Sequence, residues 1–145
     1  MDGTIRLRAC LAVVKQNKIL LVAHYNTDSG PIQWLIPGGR VEYGEGLREA
    51  AMREFHEETG LEAIASRLLE VSEVLRVEPP WHSVTITFLG NIVGGHEIAE
   101  QHPTFGQRAL KWFSVQDALQ ANCHPRTVVE KALGSDSEYE NRLLA

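Results

Sequence analysis

The segment from Gly44 to Thr59 is the part of the sequence whose local structure is most strongly constrained by its residues. It contains Leu, Ala, Met, Arg and Glu, has neither proline nor glycine after Gly46, and is followed directly by Gly60. These residue types favour an α-helix, and a glycine just after the last turn is a common helix stop. The sequence therefore predicts a helix over residues 44–59.

One face of this predicted helix changes character along its length. At about 100° per residue, one stripe begins apolar and ends in carboxylates. Its members are Leu47, Ala50, Ala51, Glu54 and Glu58, with Glu57 at its edge. Like charges this close repel, and burying them uncompensated is costly. Either the helix end is solvated, with pairs such as Glu49–Arg53 and Arg53–Glu57, or a divalent cation binds there. The helix alone leaves both arrangements open.

Alternating apolar residues predict β-strands on both sides of the helix. Strands are expected over residues 6–15, 19–25, 33–36, 68–75, 83–93 and 109–113, and short helices over 115–120 and 126–133. Loops are expected over residues 26–31 and 94–107, and Pro37-Gly38-Gly39 should end the third strand. This order predicts an α+β fold with a mixed sheet in one domain, residues 1–134, followed by a polar acidic tail over 135–145.

Composition excludes several classes of protein. The chain has 145 residues, 43% of them apolar and 23% charged, which is ordinary globular usage and not that of a disordered chain. No apolar run approaches the roughly 20 residues of a membrane span, so no membrane association is expected. The N-terminus lacks a signal-peptide pattern, and two cysteines are too few for a disulfide framework. These features predict a cytoplasmic protein with reduced thiols.

Charge narrows the choice of partner. The net charge is −5, from 19 acidic and 14 basic residues, so the chain lacks the basic surface of a non-specific nucleic-acid binder. The acidic residues are concentrated in one place, with seven glutamates between residues 42 and 62. A negative protein that binds a negative substrate needs a cation between the two, so this cluster hints at a metal.

The helical segment also carries a fixed pattern of residues. Gly39 is followed after five residues by Glu45 and after seven more by Arg53-Glu54-Phe55-His56-Glu57-Glu58-Thr59-Gly60-Leu61. This resembles the Nudix box, the signature of the Nudix hydrolases, at every fixed position. The one small departure is aromatic Phe55 where the pattern usually has an aliphatic residue, which concerns packing and not chemistry.

The resemblance implies a fold and a reaction. The family has an αβα sandwich in which the box helix packs on a mixed sheet. Its members hydrolyse the pyrophosphate linkage of a nucleoside diphosphate joined to another group, with water attacking phosphorus. A divalent cation, Mg²⁺ or Mn²⁺, can neutralise the phosphate oxygens and activate the water. The expected substrate is a small nucleotide: a nucleoside triphosphate, ADP-ribose or a nucleotide sugar.

The resemblance also implies roles for individual residues. Glu57 and Glu58 would be metal ligands, and Glu54 would be a third ligand or the base that takes the proton of the water. Arg53 would orient the carboxylates, and Glu45 would reach a metal through water. Backbone groups of Gly38 and Gly39 would face the metal and the phosphates.

Weaker predictions concern the ends of neighbouring elements. His24, at the end of the second predicted strand, is expected to contact substrate. Members often use one more acid from a later loop, and Glu97 and Glu100 lie in that region, with Glu100 preferred. A homodimer is also an expectation, because dimers are common among such proteins. Two alternatives to an active enzyme stay open: a non-catalytic Nudix domain that senses a nucleotide, and an acidic-helix interaction module.

Overall fold

The structure is a computed structural model that describes residues 3–24, 33–98, 101–102, 106–107 and 109–134. Four features predicted from the sequence lie outside these residues: Tyr25, the 26–31 loop, Glu100 and the 135–145 tail. The described strands are β1 (Arg6–Lys15), β2 (Lys18–His24), β3 (Gln33–Leu35), β4 (Gly38–Arg40), β5 (Leu61–Arg76), β6 (Trp81–Gly95), β7 (Gln101–His102), β8 (Gly106–Gln107), β9 (Leu110–Phe113) and β10 (Cys123–His124). The helices are α1 (Leu47–Thr59), α2 (Val115–Gln120) and α3 (residues 126–134).

Strand β1 organises the main sheet. It pairs in parallel with β6 from Arg6 to Val13, and its other edge pairs antiparallel with β4 and then with β2. The sheet follows the order β10-β3-β2-β1-β6-β5, and β9 adds to β2. Parallel and antiparallel pairs therefore occur in one sheet, which confirms the predicted mixed sheet. The short strands β7 and β8 pair with each other in a separate ribbon.

The sheet is buried on both faces, and alternate residues of β1 enter different cores. Ala9, Leu11 and Val13 pack on the side of α1, in a cluster that also contains Ala50, Ala51 and Phe55. The intervening side chains face the opposite cluster, which holds Cys10, Ala12, Ala118, Val128, Val129 and Ala132. Because one helix layer covers each face, the architecture is the αβα sandwich expected from the resemblance.

Several element boundaries differ from the sequence predictions, and three of the differences have a clear structural cause. The central helix begins at Leu47 and not at Gly44, since Gly44 has a left-handed φ of 85° and Gly46 is the N-cap. The Pro37-Gly38-Gly39 segment does not simply end β3, because Gly38 and Gly39 pair with Cys10 and Ala9 to form β4. Strand β5 runs for 16 residues instead of 68–75. Register shifts at three points along β5 interrupt the alternation that the prediction relied on.

None of the helices in the described ranges combines the length and the apolarity that crossing a bilayer requires.

Candidate active site

The C-terminal end of α1 is held in place by its backbone. Gly60 adopts a left-handed conformation at the C-cap, and its N–H donates to the carbonyl of His56. The Thr59 hydroxyl donates to the carbonyl of Phe55 and accepts from the N–H of Leu61. From the segment after β6, the N–H of Ile98 donates to the Thr59 carbonyl over 2.7 Å. The turn that carries the box glutamates is therefore fixed against the sheet.

Arg53 is the centre of the side-chain network on this helix. Its Nε and Nη2 donate to the two carboxylate oxygens of Glu45 over 2.6 and 2.9 Å. Its Nη1 donates to Glu54 over 2.9 Å and, more weakly, to Glu57 over 3.3 Å. Nη2 also donates to the carbonyl of Arg40 over 3.1 Å. One guanidinium thus brings together three of the predicted site glutamates.

These contacts change the electrostatics of the group. Hydrogen bonding from Arg53 holds the pKa of the Glu45 carboxyl below its ordinary value. Hydrogen bonding to Glu45, and then to Glu54, raises the pKa of the Arg53 guanidinium. Both partners therefore remain charged at neutral pH. This charged pair offsets part of the repulsion among the neighbouring carboxylates.

The glutamates differ in burial. Glu58 is only 7% exposed, whereas the Glu57 side chain is 49% exposed and that of Glu54 is 17% exposed. The sequence prediction placed all three toward the protein or a cleft, and Glu57 is the most open of them. A buried carboxylate is favourable only with compensating partners.

Two glycines let the backbone come close to this cluster. A Cβ on Gly39 would lie 2.5 Å from the Glu54 carboxyl carbon, so any side chain there would displace that carboxylate. A Cβ on Gly38 would lie 2.3 Å from the Sγ of Cys10. Gly38 is therefore required by packing against the backbone of β1, whereas a side chain at Gly39 would push the movable Glu54 carboxylate aside. The glycine at position 39 places backbone directly against Glu54.

The donor set suits a hard divalent cation. Carboxylate oxygens of Glu54, Glu57 and Glu58 and backbone carbonyls nearby are the ligand types that Mg²⁺ and Mn²⁺ take. Searched across the described ranges, no three His, Cys, Asp or Glu side chains are already arranged as a metal-holding group. Instead, Arg53 lies against Glu54 and Glu57. The chemistry of the residues fits such an ion, and the side chains would have to turn toward it.

Among the described contacts, none links the outlying predicted residues to Arg53. His24 is exposed at the end of β2, opposite Gln33, and is not among the described partners of Arg53. Glu97, the alternative to Glu100, accepts a hydrogen bond from the indole Nε1 of Trp112 over 2.5 Å. That contact links the segment after β6, which contains Glu97, to strand β9.

Sequence reasoning missed the main partner of Arg53. Helical spacing indicated Glu49, but the guanidinium is instead bound by Glu45, which precedes the helix. A turn in which the N–H of Glu45 donates to the Glu42 carbonyl, and the N–H of Glu42 donates to the Glu45 carboxylate, positions it. The only sequence signal was the fixed spacing of Glu45 and Arg53 within the box.

A family model for the NUDIX domain matches residues 5–131, which is most of the chain. The chain belongs to the Nudix hydrolase family. The described architecture and the match over residues 5–131 agree, so the resemblance extends well beyond the box.

Three relatives illustrate what the chain is similar to in sequence. A putative 8-oxo-dGTP diphosphatase of Bacillus subtilis is 41% identical over 81 residues, covering 56% of this chain and 50% of that protein. An ADP-ribose pyrophosphatase of Methanocaldococcus jannaschii is 39% identical over 85 residues, covering 57% and 48%. Human diphosphoinositol polyphosphate phosphohydrolase 3-alpha is 32% identical over 126 residues, covering 85% and 73%. The match therefore spans about half the length of the first two relatives.

Solved Nudix structures share the fold. A NUDIX hydrolase from Nitrosomonas europaea superposes with a TM-score of 0.75 at 21% identity, covering 93% of this chain and 90% of that one. A MutT NUDIX hydrolase from Burkholderia pseudomallei has a TM-score of 0.71 at 28% identity, covering 89% and 98%. The arrangement of helices around the mixed sheet is thus that of the family.

Proposed function

We propose that this protein is a divalent-cation-dependent hydrolase that cleaves the pyrophosphate linkage of a nucleoside diphosphate joined to another moiety. The observation that carries the proposal is the Arg53 network, which gathers Glu45, Glu54 and Glu57 beside buried Glu58. An assembly of this kind serves little purpose for folding alone, because it concentrates negative charge at a helix end. It suits a site where a cation and a polyphosphate meet.

The proposed roles follow from position and chemistry. Glu57 and Glu58, with the carbonyl of Gly38, would hold Mg²⁺ or Mn²⁺, and Glu54 would be a further ligand or the base that accepts the proton of the attacking water. When bound, the ion neutralises phosphate oxygens and lowers the pKa of its water. Arg53 positions the carboxylates and contributes no atom to the reaction.

Substrate contact is assigned to the residues around this cluster. Gly39 lacks a side chain, so its backbone lies directly against the Glu54 carboxylate, and we assign it a contact to a phosphate of the substrate there. His24, at the end of β2, and Glu100, which lies between β6 and β7 in sequence, are proposed as further contacts to the substrate.

The substrate class is proposed as small nucleotides. The relatives are named for 8-oxo-dGTP, ADP-ribose and diphosphoinositol polyphosphates, and their names share only a diphosphate or pyrophosphate group. A nucleoside triphosphate, ADP-ribose or a nucleotide sugar would satisfy the site equally. The acidic net charge argues against nucleic acid as the partner. The reduced thiols favour a cytoplasmic location.

The experiment is a panel of pyrophosphate compounds, with Mg²⁺ and with Mn²⁺, in which the products are identified. The panel includes nucleoside triphosphates, ADP-ribose, nucleotide sugars and diphosphoinositol polyphosphates. We expect metal-dependent release of a phosphate or a nucleoside monophosphate from at least one class. Turnover that survives exhaustive chelation would contradict the cation requirement. Nucleotide binding without turnover under either metal would support the sensing alternative.

Substitution of the carboxylates tests the assignment of residues. Glu57→Gln or Glu58→Gln should lower turnover by at least about 10²-fold, because metal binding and charge neutralisation in the transition state are lost together. The fold should survive, since each change removes one of several mutually repelling charges. Glu49→Gln is the matched control, because Glu49 lies on the same helix outside the Arg53 network. Wild-type rates in both site variants would place the metal elsewhere.

A further inference from the structure

Strand β5 forms a long edge of the sheet. Among the described strands it has β6 on one side and no strand on the other. It is 16 residues long and contains no proline. Exposed edges are usually short, interrupted or covered, because their free N–H and C=O groups can pair with another chain. The register shifts of β5 all lie before Glu70, so residues 70–76 form an uninterrupted stretch of this edge that calls for an occupant.

The second half of β5 presents apolar side chains to solvent. Val71 and Leu75 are 56% and 67% exposed. They lie opposite Ile86 and His82 of β6, and Glu73 between them lies opposite Val84. Residues directly opposite in an antiparallel pair share a face of the sheet. Val71, Glu73 and Leu75 therefore share the face on which Ile86 packs in the α1 cluster.

Charged and apolar side chains of residues 70–76 would face suitable partners if this segment paired antiparallel with a copy of itself. We propose that residues 70–76 of β5 pair antiparallel with the same segment of a second copy of this chain, about a two-fold axis through Glu73. In that register Glu70 lies opposite Arg76 of the second copy, and Val71 lies opposite its Leu75. Each dimer then contains two opposite-charge pairs on one face and two apolar pairs on the other. Cross-strand pairs of both kinds stabilise a sheet.

The size of the contact sets the expected strength. Seven paired residues span about 24 Å, and such an interface lies at the small end of specific protein contacts. The dimer should therefore be reversible and dependent on concentration. The main sheets of the two copies would join edge to edge into one continuous sheet, and the backbone groups of both edges would be satisfied together.

The proposed register contains one unfavourable pair, and this pair allows a specific test of the register. Glu73 faces its own copy across the axis, and like charges directly opposite destabilise a sheet. In each chain the Glu73 carboxylate lies 2.8 Å from the Nε2 of His82. Removing the Glu73 charge should strengthen the dimer, whereas a non-specifically adhesive edge would show no such preference.

The test is sedimentation velocity of the full chain from about 1 to about 500 μM, which brackets weak association. We expect a reversible dimer. Glu70→Arg and Arg76→Glu should each weaken it by at least about tenfold, because two attractive pairs become repulsive. The double variant should recover the wild-type dissociation constant. Glu73→Gln should lower the dissociation constant by a few-fold, on the order expected for one cross-strand pair.

A matched apolar substitution controls for general effects on solubility. Val71→Lys should abolish the dimer, whereas Val93→Lys should leave it intact. Val93 is a similarly exposed valine, 62% accessible, on β6 outside the paired segment. Circular dichroism melts establish that each variant is folded. If a single variant is unfolded, the double variant with Glu70→Arg and Arg76→Glu still tests the proposed pairing.

Three results would overturn the proposal. One is a wild-type chain that is monomeric at every concentration, which would leave the edge to an extended segment of another protein. The second is an equal loss of the dimer in Val71→Lys and Val93→Lys. The third is failure of the double charge variant to restore association. The readout is molecular mass, so these results are independent of whether the chain hydrolyses a pyrophosphate.

Discussion

Arg53 connects carboxylates that belong to different parts of the chain. Glu45 precedes the helix, Glu54 is the next residue along, and Glu57 is one turn further on. A guanidinium can do this because its five donors lie in a planar fork, and the bidentate contact to Glu45 uses that geometry. A lysine ammonium offers the same charge at one point only.

We expect Arg53→Lys to lower turnover with a smaller change in the Michaelis constant, because the carboxylates lose their orientation while the charge remains. Arg53→Ala should lower both turnover and thermal stability, since the glutamates also lose their counter-charge. Steady-state kinetics at saturating metal, alongside thermal melts of both variants, separate the two effects. A sharp rise in the Michaelis constant of Arg53→Lys with unchanged turnover would show instead that Arg53 contacts substrate.

The sequence predicted one of the contacts of Arg53 but not its main partner. Helical periodicity correctly joined Arg53 to Glu57 because residues four apart lie on one face. The same rule also indicated Glu49 as a partner of Arg53, whereas the guanidinium binds Glu45. A residue eight positions away can meet Arg53 only if the chain turns back before the helix begins. That turn depends on backbone hydrogen bonds between Glu42 and Glu45, for which periodicity carries no information.

At the scale of elements, the connection from α1 to β5 decides where the box helix ends. Gly60 has a φ of 76°, and a Cβ there would lie 2.3 Å from the carbonyl oxygen of His96. The glycine is therefore needed both for its backbone conformation and for the close approach of the segment after β6. The sequence predicted the first requirement from the position of the glycine, but not the second.

Gly60→Ala and Gly44→Ala together separate the cost of backbone conformation from the cost of steric overlap. Both glycines have a left-handed φ, but nothing lies within 4 Å of a Cβ at Gly44. Gly44→Ala should lower the free energy of unfolding by about 1 kcal/mol, and Gly60→Ala by at least about 3 kcal/mol, since steric overlap adds to the backbone cost. Denaturant unfolding measures both. Equal losses would show that backbone conformation alone accounts for Gly60.

The remaining elements show where sequence patterns suffice. Helix α2 has the predicted bounds, 115–120, because Ser114 caps it and its apolar periodicity is clear. Strand β4 was not predicted, because two glycines and an arginine have no strand propensity of their own. Its extended form comes from pairing with β1, which is a tertiary contact.

At the scale of the whole molecule, the two cysteines lie in a single core. Cys10 on β1 and Cys123 on β10 are both free thiols within the cluster between the sheet and the α2–α3 layer. Burial raises the pKa of the Cys10 thiol to about 12, and burial also raises that of Cys123. The reactive species is the thiolate, so a raised pKa lowers reactivity at every pH below it.

We expect neither thiol of the native protein to react with an aromatic disulfide reagent between about pH 7 and pH 9, a range over which the ionised fraction of an ordinary thiol rises from a few per cent to about three quarters. In denaturant both should react, and Cys123→Ser should leave one reactive thiol. Absorbance of the released thiolate measures the count. Rapid reaction of the native chain would mean that the core between the sheet and α2–α3 opens on the timescale of the assay.

The parallel pairing of β1 with β6 has a consequence for how the chain reaches this structure. Leu11 lies opposite Phe88, and every residue of the box lies between the two strands in sequence. A ribosome makes β1 first, yet that edge of β1 stays unpaired until β6 has emerged. The hairpin partner β2 and the short strand β4 can form early, because their contacts with β1 are local. The Nudix box therefore lies in a loop that closes only when β6 pairs with β1, after the whole box has been synthesised.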